Sequence, residues 1–225
     1  MPKRLIPRSH LTNRQLGQII DFFVLEIPAS KTAKTVGVNR HSVERVYHHL
    51  RTTIAIACEK ESPLGGDVEV DESYFGGKRK GERGRQVVSK VPVFGLLKRS
   101  GKVYTRIVQD VSRSTLQKII RTKVVPDSII YSDSFSSYDG LVLDGFKHYR
   151  INHSHEFARG KHNHINGIEN FWGYAKTRLR RYHGIPRKQF YLYLKEMEFR
   201  FNNRKEPNLG ELLRRTLKLT KAKLD

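Results

Sequence analysis

The sequence predicts an α/β fold: a mixed sheet with flanking helices, preceded by a small all-α domain. Three observations carry this. Apolar residues recur at helical spacing over residues 12–50 and alternate from Asp67 onward. Pro63, Gly65 and Gly66 stand where the pattern changes. Beyond them, three strand-like segments follow one another directly, and later ones are separated by helical segments. Consecutive strands form an antiparallel meander, and strands reached by helical crossovers add in parallel.

The N-terminal elements come first. Thr12 is placed to cap a helix bearing Leu16, Ile19, Ile20, Phe23 and Val24. Pro28 stops it, and Ser30 is the expected cap of the next. Val36-Gly37-Val38 then makes a tight turn, where glycine takes a positive φ at little cost. A second helix follows, with Val43, Val46, Tyr47 and Leu50 inside. This is the helix-turn-helix pattern, and residues 1–60 are read as a DNA-binding domain. Asn39, Arg40 and Arg45 are its candidate DNA contacts, alongside His41 and Ser42.

"DVEVDESYF" sets Val68 and Val70 on one strand face and Asp67, Glu69 and Asp71 on the other. "VPVFGLLKRSGKVYTRIVQD" reads as two strands about Ser100-Gly101. Ser114 opens a helix with Leu116, Ile119 and Ile120 on one side. "DSIIYSD" is a strand buried on both faces. A short helix is expected near Tyr138 to Leu143, and a further strand in "FKHYRIN". Asn166 to Arg180 forms a helix of two faces. Ile168, Phe171, Trp172, Ala175 and Leu179 are apolar; Asn166, Glu169, Asn170, Gly173, Lys176 and Arg180 are polar. Pro186 begins a last long helix with Phe190, Leu194, Met197 and Phe201. This order is ribonuclease H-like. Residues 67–205 are the expected catalytic domain, and residues 206–225 a basic C-terminal tail.

Charge narrows the function. The 225 residues hold 43 Lys and Arg against 22 Asp and Glu, a net charge of +21. Such an excess points to a polyanionic partner, nucleic acid above all. No run of ~20 apolar residues exists to span a membrane, and no secretory signal is visible. A cytoplasmic, nucleoid-associated protein without a membrane partner is expected. The single cysteine, Cys58, excludes an intrachain disulfide and a cysteine-based zinc site.

Two acids occupy informative places. Asp71 lies in an acidic row on the first strand. Asp133 follows a buried run at the carboxyl end of another strand, the rim where open α/β sheets bind ligands. Were those strands neighbours, the acids would share a site, and a hard divalent cation would relieve their repulsion. Glu169, near a helix N-terminus, can complete the set. His148, His153, His155, His162 and His164 match no familiar zinc spacing. They fit DNA phosphate or a bound water better. Lys78, Arg79, Lys80, Arg83 and Arg85, in a Gly-rich loop, fit phosphate contact.

The motifs "VEVDESYFGGKRKGERGR", "IIYSDSFSSYDGL", "RINHS", "HNHINGIENFWGYAKTRLRRYHG" and "EFRFNNR" resemble the transposases of small bacterial insertion sequences, in the group related to the Merlin DNA transposons. The resemblance implies a DDE-type catalytic domain with Asp71, Asp133 and Glu169 as its acids and metal ligands. Asn166 is the alternative third ligand, three residues upstream; a carboxylate binds a hard metal better than an amide does. Two Mg2+ ions are implied, with Mn2+ as a substitute. Lys176 and Arg180 would hold DNA beside them. The implied activity is cleavage at the element's terminal inverted repeats and transfer of the 3′-OH ends to target DNA, by a homodimer or larger assembly on DNA. Two rivals remain: a non-enzymatic DNA-binding regulator, and a ribonuclease H-like nuclease without strand transfer.

Overall fold

The computed structural model describes residues 6, 9–61, 63–76, 90–99, 101–133, 145–151 and 165–221. They fall into two compact units. Residues 1–61 with 203–225 make one, and residues 62–202 the other.

The first unit is helical. Helix α1 spans Asn13–Val24 and starts on a capping box, in which Thr12 and Gln15 satisfy each other's backbone N–H groups. Helix α2 spans Ala29–Val36. Pro28, not Ser30, takes its cap position, because proline's fixed φ suits a helix start and its missing N–H is no loss there. Gly37 closes α2 at φ +70° and donates its N–H to the Ala33 carbonyl. Helix α3 spans Arg40–Glu59. It runs past Leu50 because Ile54, Ala55 and Cys58 extend its buried stripe. The Tyr47 hydroxyl donates to the Ile27 carbonyl at 2.9 Å and lies 2.9 Å from the Thr32 hydroxyl.

The second unit is a five-stranded sheet. Its strands are β1 (Asp67–Phe75), β2 (Val91–Lys98), β3 (Val103–Ile107), β4 (Ile129–Ser132) and β5 (Lys147–Arg150), in the order β3-β2-β1-β4-β5. The first three pair antiparallel, and β4 and β5 add in parallel. This is the ribonuclease H-like arrangement, a mixed sheet with flanking helices. Helix α4 (Arg113–Lys123) starts one residue ahead of the expected Ser114. It packs Leu116, Ile119 and Ile120 on Val68, Val70, Phe94, Leu96 and Ile130. The opposite face carries α5 (Asn166–Arg180) and α6 (Phe190–Asn202), with Ile168, Phe171, Trp172, Leu194 and Met197 in its core. A 3-10 turn, Arg187–Gln189, separates Pro186 from α6.

Strand β3 is an edge, and α6 closes it. Glu198 accepts from the Thr105 backbone N–H at 2.8 Å and from its hydroxyl at 2.6 Å. Lys195 donates to the Thr105 carbonyl at 2.8 Å. Asn202 exchanges two hydrogen bonds with the Val103 backbone, at 2.8 and 2.9 Å. Side chains of a helix thus stand in for a sixth strand, leaving less open edge for another chain to pair with.

The residues expected to form a basic tail include a helix, α7 (Leu209–Lys221). It belongs to the first unit, where it packs on α1 and α3 and buries Leu213 and Leu217. Arg214 pairs with Asp21 of α1. No helix among the described residues is long and apolar enough to cross a membrane. The segment from Tyr138 to Leu143 lies outside the described residues.

Candidate active site

Strands β1 and β4 are parallel neighbours, with Asp67 beside Ile129 and Glu69 beside Tyr131. Continuing that register brings Asp71 abreast of Asp133. Both follow the odd-numbered face of the sheet, toward α5 and α6. Burial pushes the Asp71 carboxyl up to about 7, and the negative charges of Glu72 and Asp133 add to the rise. Hydrogen bonds from the Glu72 backbone and the Trp172 indole oppose it.

Trp172 is the side chain that holds Asp71. Its indole N–H donates to Asp71 Oδ2 at 3.0 Å. The ring lies across β2 at Gly95, the residue paired with Asp71. A Cβ on Gly95 would come within 2.5 Å of Trp172 Cζ2, so only glycine leaves room for the ring. Trp172 also meets Phe75 edge-on, at 5.9 Å between ring centres.

Asp133 has its own support. Ser132 lies 2.8 Å from the Nε2 of His148 on β5, and its hydroxyl donates to the Asp133 carbonyl. Burial pushes the His148 pKa down, which favours a neutral ring. Of the five clustered histidines, His148 is a brace within the sheet. His153, His155, His162 and His164 lie outside the described residues.

Helix α5 presents the two faces expected. Ile168, Phe171, Trp172, Ala175 and Leu179 are buried, while Asn166, Glu169, Lys176 and Arg180 are exposed. Lys176 reaches the end of β1, its Nζ 5.7 Å from the Phe75 ring centre. Glu169 sits in the first turn. Among the described residues, no group of three or more His, Cys, Asp or Glu side chains is gathered closely enough to hold a metal. Asp71 and Asp133 thus lie on neighbouring strands, and Glu169 and Asn166 are exposed on α5.

A further acid of β1 is buried beside this pair. Glu69, two residues before Asp71, is 1% exposed. Its Oε2 accepts from the Ile168 backbone N–H at 2.9 Å, and its Oε1 accepts from Arg99 at 3.1 Å. Arg99 in turn stacks on Tyr131, 3.6 Å from the ring centre. The only sequence signal was its place in the acidic row of β1.

The other predicted contacts are distributed as follows. Asn39 caps α3, its side chain accepting from the His41 N–H at 2.8 Å. Arg40 pairs with Glu44 at 2.7 Å on the helix surface, and Arg45 is exposed. Lys78, Arg79, Lys80, Arg83 and Arg85 lie outside the described residues.

The family model of the ISXO2-like transposase domain matches residues 63–202, which contain the sheet, Asp71, Asp133 and α5. The chain belongs to the ISXO2-like transposase domain family. A similar protein from Haemophilus influenzae, described as an uncharacterized transposase-like protein, is 52% identical over 117 residues; these are 52% of this chain and 94% of that protein. Among solved structures, the BIV integrase catalytic core domain matches at TM-score 0.41 and 15% identity, covering 72% of this chain and 99% of its own. The Mos1 mariner paired end complex with Mn matches at TM-score 0.35 and 12% identity, covering 95% of this chain and 80% of its own. The fold assignment for this ISXO2-like transposase domain stands on its strand order and pairing.

Proposed function

We propose that the chain is a transposase that cuts DNA phosphodiester bonds at the ends of its element and joins the freed 3′-hydroxyls to target DNA. The observation that carries this is the parallel pairing of β1 with β4, the strands that lead to Asp71 and Asp133, with Asp71 raised to about 7 by burial and by the charges of Glu72 and Asp133. Two carboxylates held against their own repulsion make an oxygen donor set suited to a hard divalent cation.

Asp71 and Asp133 would hold the metal, with Glu169, or Asn166 in its place, as the third ligand from α5. Magnesium, or manganese instead, supplies Lewis acidity toward the attacking and leaving oxygens when bound. The chain's residues do the rest. Trp172 fixes the orientation of Asp71. Lys176 and Arg180, exposed on the Glu169 side of α5, bind the phosphate backbone. Helix α3 presents Arg40 and Arg45 for the terminal repeats. In cleavage, water attacks phosphorus and the P–O3′ bond breaks, freeing a 3′-hydroxyl. In joining, that hydroxyl attacks a target phosphorus and the target's own P–O3′ bond breaks. Two ends cut together call for a dimer or larger assembly.

The test is cleavage and joining of duplexes carrying the inverted repeats that bound the coding sequence, with Mg2+ present. Asp71→Asn, Asp133→Asn and Glu169→Gln should each lose both products, and Asn166→Ala should retain them. Tight DNA binding without cleavage by the unaltered chain would favour a regulator. Cleavage without joined products would favour a nuclease.

A further inference from the structure

Glu69 is buried, charged and outside the proposed metal set, and its two oxygens are used differently. One meets Arg99 at 3.1 Å; the other takes the Ile168 N–H at 2.9 Å. That N–H is one of the unpaired donors in the first turn of α5. The residue at the helix's own cap position, Ile165, offers no side-chain acceptor. A carboxylate on the sheet therefore caps a helix 99 residues away in sequence. Gly167 makes the approach possible, since a Cβ there would lie 2.7 Å from Glu69 Oε2 and 2.9 Å from a Leu97 methyl.

The bond is one of a pair. Glu69 and Asp71 lie on the same face of β1, and they meet Ile168 and Trp172, one helical turn apart on α5. Two residues of strand advance ~6.7 Å and four residues of helix ~6 Å, so the two spacings agree. Helix and strand are thus pinned at two points in one register. Apolar packing alone would seat the helix without the cost of a buried charge, but it fixes register less sharply than a charged hydrogen bond does. Asn166 and Glu169, both candidates for the third ligand, stand on either side of Ile168.

We propose that Glu69 is a positioning residue that sets the head of α5 against β1, and thereby the strength with which the site binds a divalent cation. This rests on the functional reading above. Glu69 is buried and spends its two oxygens on Arg99 and the Ile168 N–H, so its loss should weaken metal binding through α5 and spare DNA affinity.

The experiment is calorimetric titration of the full chain with Mn2+, alongside binding of a random-sequence duplex and hydrogen exchange over residues 165–172. Glu69→Ala should weaken Mn2+ binding about tenfold, as loss of a support to a metal ligand does. It should also speed exchange at the head of α5 and leave duplex affinity unchanged. Gly167→Ala keeps the carboxylate but pushes the helix head away from it; it should weaken Mn2+ binding similarly, and it serves where Glu69→Ala does not fold. Asp133→Asn is the control. If it abolishes Mn2+ binding while the folded Glu69 and Gly167 variants bind Mn2+ as the unaltered chain does, the positioning role is overturned and the functional reading stands. If Asp133→Asn binds Mn2+ normally, the metal site itself is wrong and the role of Glu69 falls with it.

Discussion

Asp71 carries a conflict between stability and function. Its folded pKa of about 7 lies far above the ~4 of an unfolded aspartate. The folded state therefore holds the proton more tightly. The stabilisation this gives is complete below pH ~4 and is lost as pH rises through about 7. Without metal, the melting temperature of the sheet unit should fall between pH 5 and pH 8. Asp71→Asn should remove that part of the slope and raise the melting temperature at pH 8 by ~2–4 °C, while abolishing cleavage. Differential scanning calorimetry of the two proteins checks this; an unchanged slope would contradict it. Trp172→Phe keeps the apolar ring and removes the indole donor. It should lower Mg2+-dependent cleavage about tenfold and also lower the melting temperature, because the bond to Asp71 and the part of the buried ring over Gly95 are both lost. That the strands leading to Asp71 and Asp133 are parallel neighbours was legible in sequence, from the order of strands and helices. Glu69 was not. Its row of acids reads as facing water or a cation, and its partner Arg99 lies 30 residues away on another element.

At the scale of elements, close approach decides what packs on the sheet. Gly95 gives up its side chain so that Trp172 can cross β2. Gly95→Ala should destabilise the sheet unit by ~1–3 kcal/mol in urea unfolding and lower cleavage as well, since the ring that moves is the one holding Asp71. The two faces of α5 follow from its spacing and were legible; the glycines that admit its contacts were not, because their need arises only once strand and helix meet. The closure of β3 by α6 is a second such case. Lys195, Glu198 and Asn202 read as an ordinary polar side of a helix, yet the first two are nearly inaccessible to solvent and all three bond the edge strand. Asn202→Ala strands the Val103 backbone N–H and carbonyl. It should cost ~1–3 kcal/mol and promote aggregation, measured by unfolding and light scattering.

Across the whole molecule, the basic excess works on top of two compact units. A chain of net charge +21 should bind DNA with a steep dependence on salt, and Lys176→Ala and Arg180→Ala should each make that dependence shallower by about one counterion. By charge alone the C-terminal segment reads as a tail. Its apolar residues Leu209, Leu213 and Leu217 recur at intervals of four among five bases and are masked by them, yet Leu213 and Leu217 complete the core beside α1 and α3. Removing residues 206–225 should therefore lower the melting temperature of the helical unit and weaken recognition of terminal repeats. The central claim is that the fold brings Asp71 and Asp133 together to bind a divalent cation. Mn2+ titration by calorimetry at pH 6 and pH 8 tests it most directly. Binding should tighten as pH rises through about 7, with proton release on binding at the lower pH, and Asp133→Asn should abolish it. Binding that is independent of pH and survives in Asp133→Asn would contradict the claim.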